Sequence, residues 1–174
     1  MLKTLKIAAI LFTVSLILPG CGEIVSYPDT PIIDYKSFAL YSTIDDLGNE
    51  IFIGKMEISF TDGDGDIGLS QPDSSAIADS LKFNFFTSLY SMNNGVFEKV
   101  SGKEGEQNFR IPYISREGQN KTLKGLLYID FEYKISENDP IYDTIFYTFY
   151  LVDRAFHRSN TDTSEVVILS GLNL

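Results

Sequence analysis

Residues 123–134 read Leu-Lys-Gly-Leu-Leu-Tyr-Ile-Asp-Phe-Glu-Tyr-Lys, a stretch in which two kinds of side chain alternate. Every second residue from Leu123 to Tyr133 is apolar or glycine, whereas the residues between them are mostly polar or amphipathic. Successive side chains of a β-strand point to opposite faces of its sheet. This period of two therefore predicts a strand with one buried face and one solvent-exposed face. Such strands are typical of antiparallel sheets.

The same period of two recurs along the chain, and no stretch after residue 21 has a sustained helical periodicity. The expected strands are Ile32–Tyr41, Ile51–Phe60, Leu81–Tyr90, Val96–Val100, Asn108–Ile114, Leu123–Lys134, Tyr142–Val152 and Thr163–Leu169. Turn-forming residues, of which Asn94-Gly95 is the clearest pair, separate these strands. Seven to eight short strands predict an all-β fold, a single immunoglobulin-like antiparallel β-sandwich over residues 32–174, with a small β-barrel as the alternative.

The first 20 residues have the composition of a lipoprotein signal peptide. Two lysines precede an uncharged run of 12 residues, Ile7–Leu18, which is shorter than the roughly 20 residues that a transmembrane helix needs. The following Leu18-Pro-Gly-Cys21 resembles the lipobox of bacterial lipoproteins. This resemblance implies cleavage before Cys21, a covalent lipid on that cysteine, and a short tether over residues 21–31. The alternative is an ordinary cleaved signal peptide with an incidental cysteine.

Composition excludes several classes of function. The chain has 14 Lys and Arg against 24 Asp and Glu, for a formal net charge of −10. Removal of the two signal lysines leaves 12 basic and 24 acidic residues, a net charge of −12. A field this acidic repels nucleic acid, so no nucleic-acid partner is expected. The single cysteine forms neither an internal disulfide nor a Cys-rich zinc site, and one histidine leaves little room for His-based metal catalysis.

The segment Tyr150–Asn160, which reads Tyr-Leu-Val-Asp-Arg-Ala-Phe-His-Arg-Ser-Asn, resembles the end of bacterial immunoglobulin-like domains when residues 161–169 follow as a last strand. With the Cys21 signal and an early Asp-Gly-Asp-Gly-Asp segment, the chain is similar to small lipoproteins of the Bacteroides type. The resemblance implies an outer-membrane protein that contacts the membrane through its lipid only, on the periplasmic or the surface face. It concerns architecture more than activity.

One loop contains a candidate metal site. Residues 61–68 read Thr-Asp-Gly-Asp-Gly-Asp-Ile-Gly, so that Asp62, Asp64 and Asp66 alternate with glycines and can turn toward one centre. Hard cations such as Ca²⁺ bind six to eight oxygen atoms, and a cation would remove the repulsion among three crowded carboxylates. The alternative is a solvated turn whose Asp and Gly residues satisfy backbone groups.

The loop matches an EF-hand only in part. Asp62, Asp64 and Asp66 occupy the first, third and fifth positions, and Asp73 falls at the twelfth, but Ile67 stands where the EF-hand has glycine. An EF-hand is therefore not expected. The predicted Ca²⁺ ligands on the edge of the sandwich are Asp62, Asp64, Asp66 and Asp73.

No catalytic constellation is visible in the sequence. His157, Asp153 and Ser159 lie too close together in one loop to define a triad, and no Gly-x-Ser-x-Gly motif occurs. We therefore expect a non-enzymatic, lipid-anchored envelope protein with a binding, adhesion or structural role toward a protein or glycan ligand. The alternative is a carbohydrate-binding accessory lipoprotein of a glycan-uptake system, in which exposed tyrosines such as Tyr128, Tyr142 and Tyr150 would form an aromatic strip.

Overall fold

The computed structural model describes residues 25–70, 82–115, 121–134 and 142–169. The signal peptide, Cys21 and Asp73 lie outside these ranges, so their predicted roles remain predictions. The described strands are β1 (Ile32–Ile44), β2 (Glu50–Asp62), β3 (Phe85–Asn93), β4 (Val96–Lys99), β5 (Asn108–Phe109), β6 (Leu123–Lys134), β7 (Thr144–Leu151), β8 (Asp162–Thr163) and β9 (Val167–Ile168). Within these ranges, no helix is present that is long and apolar enough to cross a bilayer.

The strands form two antiparallel sheets. The first has the order β1-β2-β6, and the second has the order β4-β3-β7-β8, with β5 paired to β3 and β9 paired to β7. These orders correspond to strands A-B-E and C′-C-F-G of an immunoglobulin-like sandwich, in which β8 and β9 are two parts of the last strand. Neither sheet closes on itself within the described ranges. The all-β sandwich prediction is therefore confirmed, and the barrel alternative is not.

The core lies between the two sheets and is rich in aromatic rings. Along β2, every second residue from Phe52 to Phe60 is buried, as the period of two requires. The ring centroids of Phe131 on β6 and Tyr147 on β7 lie 4.3 Å apart, which joins the sheets directly. The hydroxyl groups of Tyr133 and Tyr147 are 2.9 Å apart, so each buried oxygen has a hydrogen-bond partner.

Side chains also join the sheets at the edge of β1. The Asn160 side chain accepts a hydrogen bond from the Ile33 backbone N–H and donates one to the Ile33 carbonyl oxygen, both at 2.9 Å. The Asp162 carboxylate accepts a 2.7 Å hydrogen bond from the Tyr35 backbone N–H. The loop before β8 and the first residue of β8 therefore continue the hydrogen bonding of β1 with side chains, and they cover an edge that would otherwise be open.

Two expected strands differ from the sequence prediction by more than a few residues at their ends. The segment Asn108–Ile114 contributes only β5, because the Asn84 side chain accepts a 2.7 Å hydrogen bond from the Ile111 N–H in place of a neighbouring backbone. The last expected strand is divided into β8 and β9, because the buried Ser164 hydroxyl accepts a 2.9 Å hydrogen bond from the Tyr147 N–H. Polar side chains replace backbone pairing at both places.

Candidate metal centre

Three aspartates converge where β2 ends. Asp62 is the last residue of β2, and Asp64 and Asp66 lie in the loop that follows. One carboxylate oxygen from each residue lies within 4.8 Å of the others. Gly65 and Gly68 have φ angles of 66° and 92°, a conformation that favours glycine and lets the loop turn back on itself. We call Asp62, Asp64 and Asp66 the aspartate cluster.

Asp62 is the most constrained member of the cluster. Its side chain is fully buried. Its Oδ2 accepts hydrogen bonds of 2.8 and 3.1 Å from the backbone N–H groups of Asp66 and Ile67. Its Oδ1 is buried and accepts no hydrogen bond from any described residue, and the same holds for Oδ1 of Asp66. An unsatisfied buried oxygen is costly, and a cation bound at these atoms would remove that cost.

Burial raises the pKa values of two carboxyl groups of the cluster, those of Asp62 and Asp66. Burial is the main cause of the increase in the Asp62 pKa to about 6, and the charges of Asp64 and Asp66 raise it further, against the backbone hydrogen bonds. The pKa of Asp66 is also raised, first by burial and then by the charge of Asp153, while Arg154 opposes the shift. A bound divalent cation would reverse these shifts because it favours the ionised carboxylates.

The loop between β7 and β8 packs against the aspartate cluster. The Arg154 guanidinium donates a 2.9 Å hydrogen bond to the Gly68 carbonyl oxygen, and the Arg154 N–H donates one of 3.4 Å to the Asp66 carbonyl oxygen. The Ala155 backbone N–H also favours the ionised Asp66 carboxylate and so lowers its pKa. The aspartate cluster therefore connects the end of β2 in one sheet to the end of β7 in the other.

Asp153 and His157 hold the conformation of that second loop. Asp153 is fully buried and accepts hydrogen bonds from the His157 backbone N–H at 2.7 Å and from its Nδ1 at 3.0 Å. The side-chain hydrogen bond to Asp153, and then the charge of Asp153, raise the pKa of His157. Ser159 uses its hydroxyl elsewhere, since it accepts a hydrogen bond from the Leu151 N–H and donates one to the Asn160 carbonyl oxygen. The three residues form loop contacts and not a nucleophile–base pair.

Two residues within the expected tether, Tyr27 and Pro28, contact this end of the sandwich. The Gly63 N–H donates a 2.9 Å hydrogen bond to the Pro28 carbonyl oxygen. The Pro28 backbone lies so close that a Cβ atom at Gly63 would collide with it, which explains the glycine at this position. The Lys124 Nζ lies 3.5 Å from the centroid of the Tyr27 ring. The chain that leads toward Cys21 is therefore fastened to the same end of the sandwich as the cluster.

The sequence prediction found the cluster but not its surroundings. The structure brings Asp62, Asp64 and Asp66 together, whereas Asp73 lies outside the described residues. Sequence reasoning missed Asp153 and Arg154 as neighbours of the cluster, because they are separated from it by almost 90 positions and meet it only when the two sheets pack. The only feature of the sequence that could have indicated this proximity is the position of both residues in an Asp-Arg-Ala segment at the end of a strand.

The suggested tyrosine strip does not form as expected. Tyr128 lies on β6 and Tyr150 on β7, so they belong to different sheets. A different set of rings covers the outer face of the second sheet, where Phe86 stacks on Tyr150 at 5.0 Å and Tyr90 stacks on Phe146 at 4.8 Å between centroids.

These rings cover one another. The Arg158 guanidinium lies 3.8 Å from the centroid of the Tyr150 ring, and Phe97 meets Phe146 edge-on at 4.9 Å. Ring surfaces that a sugar would need for stacking are thus already occupied by protein groups. No protein-family model matches this chain, and no curated protein or solved structure is significantly similar to it.

Proposed function

We propose that this protein is a non-enzymatic β-sandwich module of the cell envelope that binds Ca²⁺ through the aspartate cluster and is held at the outer membrane by lipid on Cys21. The observation that carries the proposal is the buried, unsatisfied Oδ1 of Asp62, which lies among three converging carboxylates. The Leu18–Cys21 lipobox resemblance supports the anchor. The resemblance to Bacteroides-type lipoproteins supports the outer membrane as the location.

The donor atoms favour Ca²⁺ over other common ions. All three side chains of the aspartate cluster offer oxygen, whereas Zn²⁺ sites are built mainly from Cys and His. Ca²⁺ tolerates irregular coordination by six to eight oxygens, and Mg²⁺ requires a nearly ideal octahedron. Loop carbonyl oxygens and Asp73, which the sequence suggests as a fourth carboxylate, would supply further ligands.

The role that we assign to the cation is structural. It would neutralise most of the charge of the aspartate cluster. It would also fix the loop to which Arg154, after the last residue of β7 in the opposite sheet, donates hydrogen bonds. A ligand that binds only the folded state stabilises it by about 2.7 kcal/mol at 100 times its Kd. For a domain of this size, that free energy raises the melting temperature by roughly 5–10 °C.

Thermal unfolding of the full lipidated chain in detergent tests the proposal. We expect excess Ca²⁺ to raise the melting temperature of the wild-type protein relative to chelator, and we expect Asp64→Asn to abolish that increase. Asp130→Asn is the matched control, because Asp130 lies on β6 with its side chain 53% exposed and away from the cluster. Equal melting temperatures of the wild-type protein in Ca²⁺ and in chelator would contradict Ca²⁺ binding. Calorimetry then gives the number of ions per chain.

The carbohydrate-binding alternative has less support. It needs flat aromatic surfaces that face solvent, and the rings on the outer face of the second sheet instead stack on one another and on Arg158. Saturable binding of a polysaccharide to the purified protein, lost on Tyr150→Ala, would favour this alternative over a purely structural role.

A further inference from the structure

We propose that the end of the sandwich that contains the aspartate cluster lies against the phospholipid headgroups of the membrane that carries the Cys21 lipid. We call it the anchor end and define it by its described residues: 25–31, 62–70, 82–84, 110–115, 121–124 and 152–160. Hydrogen bonds connect these segments, including Leu69 N–H to the Ile111 carbonyl and Val152 N–H to the Asn84 carbonyl. This inference rests on the lipid anchor of the proposed function.

The length of the tether limits where the membrane can be. Tyr27 lies six positions after Cys21, and an extended chain spans about 3.3–3.6 Å per residue, so Tyr27 lies within about 20 Å of the lipidated cysteine. Tyr27 and Pro28 are fastened to Lys124 and Gly63 at the anchor end. The β1–β2 turn is at the opposite end of the 13-residue strands, about 40 Å away. The anchor end is therefore the part of the domain nearest to the membrane.

Three of the thirteen large apolar side chains that are exposed in the described part of the chain lie at the anchor end. Val25, Tyr113 and Phe156 are 62%, 50% and 59% exposed. Phe156 has a φ angle of 68°, a left-handed conformation that a bulky residue rarely adopts, and its N–H donates to the Asp153 carbonyl oxygen. The loop thus holds an aromatic side chain outward at a cost in backbone strain. Aromatic residues in such positions are favoured at the boundary between headgroups and acyl chains.

The distribution of charge fits an anionic headgroup surface. Half of the 12 basic residues that follow the signal peptide lie at the anchor end: Lys82, Arg110, Lys121, Lys124, Arg154 and Arg158. Among the described residues of this end, the carboxylates are those of Asp29, the aspartate cluster and Asp153, and Asp62 and Asp153 are fully buried. The described residues of the anchor end therefore have six basic against five acidic side chains, in a domain with a net charge of −12, and Lys and Arg near a membrane surface attract anionic lipids.

Single-tryptophan fluorescence tests the orientation, because the chain contains no tryptophan. The full lipidated protein is reconstituted into vesicles of phosphatidylethanolamine and phosphatidylglycerol with brominated acyl chains, in the presence of Ca²⁺. We expect Phe156→Trp to emit at shorter wavelength and to lose most of its fluorescence relative to vesicles without bromine. Leu47→Trp is the matched control at the far end, where Leu47 is 86% exposed, and we expect no quenching there. Tyr113→Trp is a second reporter at the anchor end.

The outcomes separate this inference from the proposals on which it rests. Protein that floats with the vesicles but whose Phe156→Trp and Tyr113→Trp reporters are quenched no more than Leu47→Trp is anchored without docking, and the inference fails. Protein that does not float lacks the lipid anchor, which overturns both the anchor and the docking. Loss of Ca²⁺ binding is detected separately, by the melting experiment with Asp64→Asn.

Discussion

At the scale of single residues, Asp62 differs from every other carboxylate that the structure describes at the cluster. It is fully buried, two backbone N–H groups hold one of its oxygens, and the other oxygen has no hydrogen-bond partner among the described residues. An isolated buried charge destabilises a folded protein, so a buried carboxylate such as that of Asp62 needs a partner that offsets this cost. Ca²⁺ supplies that compensation in our proposal.

The pKa of Asp62 gives a prediction with a defined sign. It is about 6 in the folded protein and 3.8 in a model peptide, so the cation-free folded state binds this proton more tightly than the unfolded state. The contribution of Asp62 therefore favours folding below about pH 4 and is lost as the pH rises through about 6. In chelator at pH 7, we expect Asp62→Asn to melt at a higher temperature than the wild-type protein, because the amide removes a buried charge.

The same variant should behave in the opposite way in Ca²⁺. With the ion in excess, Asp62→Asn is expected to melt below the wild-type protein, because it lacks a ligand. In chelator, its advantage over the wild-type protein should shrink between pH 7 and pH 5, since Asp62 is then increasingly protonated. Calorimetric scans at both pH values measure these differences. If Asp62→Asn were less stable than the wild-type protein in Ca²⁺ and in chelator, at pH 7 and at pH 5, the buried charge of Asp62 would not be what destabilises the cation-free protein.

At the scale of secondary-structure elements, the edge of β1 is completed by side chains and not by a strand. Asn160 makes two hydrogen bonds with Ile33, and Asp162 makes one with Tyr35, each across 127 positions of sequence. The alternating pattern predicted β6 with the bounds that the structure has, because a strand's period is a local property. Contacts such as that of Asn160 depend on how the sheets pack, so no local pattern contains them.

Removal of the Asn160 side chain measures how much its hydrogen bonds to the edge of β1 contribute to the free energy of unfolding. We expect Asn160→Ala to lower the free energy of unfolding by about 1–2 kcal/mol, because two hydrogen bonds to Ile33 are lost at about 1 kcal/mol each. Asn93→Ala is the control at the β3–β4 turn, where the side chain makes one exposed hydrogen bond with Glu98. Urea unfolding compares the two variants, and an equal loss in both would argue against a special role for the β1 edge.

A glycine inside β2 has a role in packing. A Cβ atom at Gly54 would overlap the rings of Phe38 and Tyr133, so Gly54→Ala should lower the free energy of unfolding by about 1–3 kcal/mol. At Gly125 on β6, a Cβ atom would be 3.1 Å from the nearest atom of Phe60, and we expect a smaller loss. Urea unfolding that ranks the two variants in the reverse order would contradict this account.

At the scale of the whole molecule, the cluster connects the two sheets. Asp62 belongs to the end of β2, and the Arg154 loop follows β7 in the other sheet. The fold class could be predicted from the sequence because eight alternating segments leave few other architectures. The connection between the two sheets at the cluster could not be predicted from the sequence, because Asp66 and Arg154 come into contact only when the sheets pack.

Hydrogen exchange tests this connection. On addition of Ca²⁺, we expect slower exchange at the amides of Ile67 and Arg154, which lie on opposite sides of the site. The Gly48 amide donates to the Asp45 carbonyl oxygen in the β1–β2 turn, and its exchange should not change. Mass spectrometry of peptides from each segment is the measurement. Slowing at Ile67 without any change at Arg154 would mean that the ion orders one loop only.

The hydrogen bond from Gly63 to Pro28 has a mechanical consequence. When a partner bound to a lipid-anchored domain moves relative to the membrane, the tether transmits a pulling force to the domain. Tension along residues 21–31 reaches the contacts of Tyr27 and Pro28 with the aspartate loop before it reaches the long pairing of β1 with β2. A pulling force on the tether therefore acts on the aspartate loop before it acts on any strand pairing. An ion bound in that loop would strengthen the connection between the tether and the domain.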